Sequence, residues 1–316
     1  MTDSATTIQP ASGPASLAER RHANRARRLS KSLIALALVV PAAVMYAVFV
    51  LRPLGLTIQY SFYDWNGIGA STWVGLKNYA ALFDNPVLWG SLLHSFILIV
   101  FFCLIPVILG LFTANTIRGF STSRLALVSR TVLFIPQIIP LVAAGIMWSW
   151  LLTSKGFVNQ VLTAVGLGGI TRAWLGDFDL ALPTMGLIGA WVLFGLCMLL
   201  LLAGMSKIDP ALYEAARIDG ATAWKEFWSI TLPSLKQEIG VCVTVTVVAA
   251  LASFDIVYIS TRGGPGNSTM VPGMQIYYLA FFERELGLAS ALAVALVIVV
   301  LAIILPVQRA TKEDKD

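Results

Sequence analysis

The run Arg262 to Thr269 reads RGGPGNST, glycine-rich and closing on two hydroxyl residues. Those are the residue types of a loop whose backbone amides cradle phosphates, but such a loop also needs a lysine directly before the hydroxyls, and none is present. The run reads instead as a tight turn that starts a re-entrant or surface segment. The three cysteines, Cys103, Cys197 and Cys242, lie far apart inside apolar runs, with no CxxC or Cys/His spacing that would hold zinc or frame disulfides. His22 and His94 form no metal constellation, and no catalytic triad or carboxylate pair stands out. Neither an enzyme activity nor a cofactor on this chain is expected.

What polar chemistry there is sits within a lipid-loving chain. The 316 residues are 57% hydrophobic and 12% charged, with a mean hydropathy of +0.79. A soluble domain carries about 25% charged residues, so the composition is that of an integral membrane protein. The net charge of +5 is spread between apolar runs rather than gathered in a stripe, which argues against nucleic acid as a partner and leaves membrane lipid.

A helix needs about 20 apolar residues to cross the hydrocarbon core. Charge-free stretches follow Lys31, Asp84, Arg130, Asp179 and Glu285, and a further apolar stretch after Glu238 is interrupted by Asp255 alone. The expected fold is therefore all-α, with six transmembrane helices over about 32–58, 91–115, 131–153, 182–206, 238–260 and 286–308. Together they form one transmembrane domain over 31–310. The first run has the basic flank and apolar core of a signal peptide, but its apolar stretch continues through VMYAVFVL and it lacks a twin-arginine context. It is expected to stay as the first span. Of the 22 Lys and Arg residues, 16 fall on the side of the N-terminus and 6 on the other, which puts both termini in the cytoplasm. Residues 1–30 read as a disordered basic tail and 311–316 as a short C-terminal tail. The Trp- and Tyr-bearing stretch after the first span reads as an interfacial anchoring belt.

Two intramembrane positions draw attention. Asp255 is an ionisable group within an apolar stretch, marking either a pathway or gate, or a structural pairing. Phe254 and Tyr258 flank it and offer aromatic faces of the kind sugars pack on. Gln137 lies between Pro136 and Pro140, which loosen the helix; it either lines a cavity or hydrogen-bonds to a neighbouring helix.

The segment 207–236 carries eight charges between two apolar runs. Asp209 before Pro210 is a strong helix start, with Ile208 and Tyr213 placed for a hydrophobic staple. Gly220 suits a left-handed stop. A second helix is expected from Thr222, carrying Trp224, Phe227 and Trp228 on one face and closing at Leu232–Pro233. The paired alanines and mixed charge favour a knob that enters a cleft on another protein over a basic helix lying on headgroups.

EAARIDGATAWKEFWSITLP, with Glu214-Ala215-Ala216, Gly220 and Ile230-Thr231-Leu232-Pro233, resembles the EAA loop of inner-membrane permease subunits of ATP-binding-cassette importers, and specifically the carbohydrate-uptake branch. FIPQIIPLVAAGIMWSWL, SFDIVYISTRGGPGNST, SFYDWNG and VGLKNY extend the likeness over roughly residues 30 to 310. The resemblance implies a cytoplasmic coupling helix whose docking residues are Glu214, Ala215, Ala216, Asp219 and Gly220. It implies a bacterial plasma-membrane location and three kinds of partner: a second permease subunit, two copies of a cytoplasmic ATP-binding subunit, and an extracytoplasmic solute-binding protein. The implied cargo is a sugar or oligosaccharide, with glycerol phosphate or another polyol as the alternative. From a different class, an ATP-independent secondary transporter would be expected to show internal symmetry or intramembrane charge pairs, and neither is evident.

Overall fold

The protein is described by a computed structural model over residues 37–119 and 123–311. The tail expected over 1–30 and almost all of that over 311–316 lie outside the described residues. The chain divides into two compact units, Met1–Leu56 and Thr57–Asp316. α1 is described over Ala37–Tyr60, with a π-turn over Ala47–Leu51 in the first unit and its last residues, Thr57–Tyr60, in the second.

Beyond α1, the second unit forms a hairpin, β1 (Tyr63–Asp64) pairing antiparallel with β2 (Thr72–Trp73). It amends the all-α expectation. Gly67 and Gly69 take positive φ in its turn, and Trp73 packs on Phe62 and Tyr63 across the strands. Asn78, on α2 (Lys77–Asp84), ties it down by donating to the Ser61 and Tyr63 carbonyls at 3.0 and 2.9 Å.

The rest is helical: α3 (Pro86–Arg118), α4 (Arg124–Ile138), α5 (Leu141–Leu151), α6 (Phe157–Ala164) and α7 (Ala181–Met205). Then come α8 (Pro210–Ile218), α9 (Ala223–Ser234), α10 (Lys236–Leu251), α11 (Phe254–Ser260), α12 (Pro272–Tyr278) and α13 (Leu286–Ala310). By length and composition, α1, α3, α7 and α13 can each cross a membrane, and the bent pairs α4–α5 and α9–α10 raise the number to as many as six.

α7 is apolar all round and buried on all faces, the pattern of a helix enclosed by others. It packs on α3, α4, α5 and α10. Membrane helices gain little from excluding water, so they hold together by close contact at small residues. An added Cβ at Gly195 would lie 2.6 Å from the Leu133 carbonyl oxygen of α4, and one at Gly110 of α3 would lie 2.9 Å from the Met198 nitrogen of α7.

Two expected single spans are broken. Over 131–153, α4 and α5 meet at 95°. Pro140 holds the preceding Ile139 in an extended conformation (φ −76°, ψ 122°), which ends α4. Over 238–260, α10 stops at Leu251, a length of about 24 Å at 1.5 Å per residue. Ser253 leaves helical geometry (φ −73°, ψ 52°) before α11 begins. The expected start of the first span, 32–36, lies outside the described residues; the other bounds of the remaining spans fall within a few residues of those expected.

Gly195→Ala is expected to destabilise the protein by about 1–3 kcal/mol through overpacking against a backbone carbonyl. Gly90→Ala, on α3 with open space around it, is expected to be neutral or mildly stabilising. Thermal unfolding in detergent compares them, and a Gly195→Ala melting point at or above that of the parent would refute the close-contact account.

Candidate functional site

The segment after α7 folds by local rules. Asp209 accepts a hydrogen bond from the Ala211 amide at 2.9 Å and caps α8, with Pro210 at its first position. At the other end Gly220 sits at φ +78°. The Ala221 amide bonds to the Ala216 carbonyl at 2.9 Å and the Gly220 amide to the Arg217 carbonyl at 3.0 Å. This is the paired closure of a Schellman stop, and it needs a left-handed residue at position 220. Thr222 then caps α9 by accepting from the Lys225 amide.

Leu232–Pro233 does not close α9 as expected. Leu232 is helical (φ −64°, ψ −45°) and the helix runs to Ser234, with the break at Leu235. A π-turn over Phe227–Thr231 ends two residues before the proline. Its wider hydrogen-bond register accommodates a residue that has no N–H to give.

One side of α8 is fastened and the other is bare. Buried Tyr213 shares a 3.0 Å hydrogen bond with the hydroxyl of Thr231 on α9, and the Arg118 guanidinium at the end of α3 lies 4.0 Å over its ring. Arg217 Nε donates to Glu226 Oε1 at 2.9 Å, and Glu226 is itself buried. That hydrogen bond is the chief cause raising the Arg217 pKa further above its usual value, so Arg217 stays a cation at any working pH. The opposite side presents Leu212, Glu214, Ala215, Ile218, Asp219 and Gly220 to the outside, with Ala216 half-buried between the two. Ile218 is 86% exposed.

On α11, Phe254 stacks on Tyr258 with centroids 5.2 Å apart. Both also contact Tyr277 of α12, each at 5.5 Å. Tyr277 was not singled out in the sequence, although the aromatic density of Tyr277, Tyr278, Phe281 and Phe282 signals it. Asp255 is exposed beside this group and makes no ion pair among the described residues. Gln137 lies in the last turn of α4 with a buried Oε1 that has no hydrogen-bond partner. The helix–helix hydrogen bond considered for it is therefore not made through that oxygen, and no hydrogen bond or ring contact among the described residues joins it to the aromatic group. Nor do the described residues hold a cluster of three His, Cys, Asp or Glu that could bind a metal.

Residues 106–311 match the model of the family described as binding-protein-dependent transport system inner membrane component. A probable ABC transporter permease of Bacillus subtilis, YurN, is 33% identical over 88% of this chain and 96% of its own length. The diacetylchitobiose uptake system permease NgcF of Streptomyces coelicolor is 31% identical over 95% of this chain and 89% of its own. The sulfoquinovosyl glycerol transport permease SmoG of Agrobacterium fabrum is 33% identical over 85% and 87%. In fold, a chain of a bacterial ABC transporter involved in importing the acidic polysaccharide alginate is similar, with a TM-score of 0.78 at 22% identity over 93% of this chain and all of the other. A multi-pass membrane chain, matched over most of its length by importer permeases and by their family model, belongs to the binding-protein-dependent transport system inner membrane components, the permease subunits of ABC importers.

Proposed function

We propose that this permease forms half of the translocation pathway for a sugar or oligosaccharide in a bacterial plasma membrane, and that the α8–α9 hairpin couples it to ATP hydrolysed on a separate chain. The observation that carries the coupling role is the two-sided character of α8. A helix clamped on one side through Tyr213 and Arg217, and showing an exposed isoleucine, leucine and acidic pair on the other, has the form of a knob for a protein groove. Glu214, Ala215, Ala216, Asp219 and Gly220 supply the docking surface. Both termini and this hairpin lie on the cytoplasmic side, as the Lys and Arg bias supports. A second permease completes the path, two ATP-binding subunits take the two hairpins, and an extracytoplasmic binding protein delivers the cargo.

The sugar assignment draws on the relatives, whose names specify diacetylchitobiose, lactose and sulfoquinovosyl glycerol. Phe254, Tyr258 and Tyr277 offer aromatic faces, with Asp255 and Gln137 as polar groups along the route. Closure of the ATPase pair moves α8 as a rigid body. Through α7 and α10 that motion rocks the bundle between two discrete positions, each favoured by one nucleotide state.

The test is ATP-driven sugar uptake by the assembled transporter in proteoliposomes. Glu214→Lys reverses a docking charge, and Gly220→Pro demands a φ near −65° where the backbone needs +78°. Both are expected to drop uptake to background while leaving the chain in the membrane. Undiminished uptake by both variants sinks the docking role, and uptake that persists without ATP sinks the importer reading.

Tyr213 separates rigidity from docking. Tyr213→Phe loses one hydrogen bond, about 1 kcal/mol, and keeps the ring under Arg118. Tyr213→Ala removes a buried aromatic, about 3–5 kcal/mol. Transport per ATP hydrolysed is expected to fall slightly in the first and severely in the second. Equal coupling in both would mean that the clamp is irrelevant to the stroke.

A further inference from the structure

A second polar site lies away from the aromatic group, where the ends of α3, α11 and α12 come together. A cavity of about 390 Å³ is lined by Asn85, Arg262, Asn267, Gln275, Tyr278 and Glu283. Its size falls in the range of small-molecule sites, about 300–1,000 Å³. Gln275 is only 7% exposed, yet its side-chain amide has no hydrogen-bond partner among the described residues. Its amide atoms are not sealed off in the core but open on the cavity, which leaves them available to a ligand there. Arg262 and Glu283 take part in no ion pair there either. Asn85 spends its Oδ1 on the Val87 and Leu88 amides, which leaves its NH₂ free to donate.

The walls are fixed before any ligand arrives. Buried Thr269 anchors the loop through the Gly264 carbonyl and the Thr261 hydroxyl, both at 2.7 Å, and His94 Nδ1 holds the Met270 carbonyl at 2.8 Å. Arg262 and Asn267 sit at φ +53° and +69°, strained for residues with a Cβ. The loop carries that strain at two of the positions that line the cavity.

The donor set specifies the ligand class. Three amides, one guanidinium, one carboxylate and a half-buried tyrosine ring suit a molecule with many hydroxyls and a carbon–hydrogen face. The opposed charges of Arg262 and Glu283 leave no net demand for an ion. Tyr278 follows Tyr277 in α12, and adjacent helical residues point about 100° apart, so one helix serves the aromatic group with one tyrosine and this cavity with the next. Resting on the sugar-importer reading, we propose that this cavity is a saccharide-binding subsite at the extracytoplasmic mouth, which receives cargo before it reaches the aromatic group.

The experiment uses the full-length chain in membrane vesicles with Val87, an apolar residue lining the cavity, changed to cysteine. The native cysteines are all buried, so a membrane-impermeant maleimide reads Val87→Cys alone. Lactose, maltotriose and N,N′-diacetylchitobiose are added separately. At least one is expected to slow labelling, by about tenfold at ten times its half-protecting concentration. Adding Gln275→Leu, or Asn267→Gly, which keeps the left-handed backbone, is expected to abolish that protection. The inference is overturned if none of the three sugars protects, if protection survives both substitutions, if the cysteine cannot be reached from outside, or if sugar-free binding protein protects and sugar does not. The last outcome would make the cavity a protein contact. ATP-driven uptake of the same sugars in the same vesicles stands apart: uptake without protection removes the subsite and keeps the importer reading, whereas protection without ATP-driven uptake removes the importer reading.

Discussion

Close backbone contact around α7 is the constraint on which the rest of the bundle depends. In lipid, helices do not gain by hiding apolar surface from water, so they associate only where they fit. Along α7 the fit comes from glycines. At Gly195 the neighbouring backbone of α4 occupies the space of a side chain, and at Gly204 the aliphatic stem of Glu238 does so, with an added Cβ only 2.6 Å from its Cγ. Glu238 belongs to α10, and its carboxylate accepts from Lys207 Nζ at 3.0 Å. One glycine thus lets α10 lie against the end of α7, and a charge pair fastens them where the hairpin emerges. Lys207 is largely exposed, so the pair adds little energy by itself; its value is in fixing register.

That arrangement gives the proposed stroke a short mechanical path. α8 is joined to α7 by a few residues, to α9 by the Tyr213 hydroxyl and the Arg217–Glu226 bond, and to α3 by Arg118. A push on the exposed side of α8 therefore reaches three helices without crossing a flexible linker. Removing Arg217 would leave the buried Glu226 carboxylate without its cation, which is more damaging than the loss of an exposed pair. The clamp is thus specific as well as stiff.

Much of the hairpin was legible in the sequence because its signals are local. Asp209, Pro210, Gly220 and Thr222 act through bonds to residues two to five positions away, and each occupies the predicted role. The breaks were less legible. In the sequence Pro136 and Pro140 read as loosening a single span rather than as the 95° turn between α4 and α5, and nothing in ALASFD announces the end of α10, since Ala252 and Ser253 are tolerated in helices and leave helical geometry only in this tertiary setting. Pro233 misled for the opposite reason: a π-turn upstream absorbed the missing donor. The polar cavity could not be read at all, because its residues span positions 85 to 283 and converge only when α3, α11 and α12 pack. The aromatic group was half legible, Phe254 and Tyr258 being neighbours on one helix while Tyr277 arrives from another.

The exposed apolar surface of α8 remains to be explained in physical terms. Ile218 alone at 86% exposure forgoes most of the roughly 1.5–3 kcal/mol that burying such a side chain yields. A single exposed isoleucine needs no special reason. Here, however, Leu212 and Ile218 share the open side of a helix whose other side is fixed by a buried tyrosine and an ion pair, so the bare side is held in place rather than left loose. A rigid surface keeps its apolar groups from collapsing onto the bundle and loses little entropy when a partner covers it. The stiffness that transmits a stroke and the exposure that invites a partner are then two consequences of the same clamp, and an isolated permease would be expected to hold this helix in nearly the geometry that docking requires.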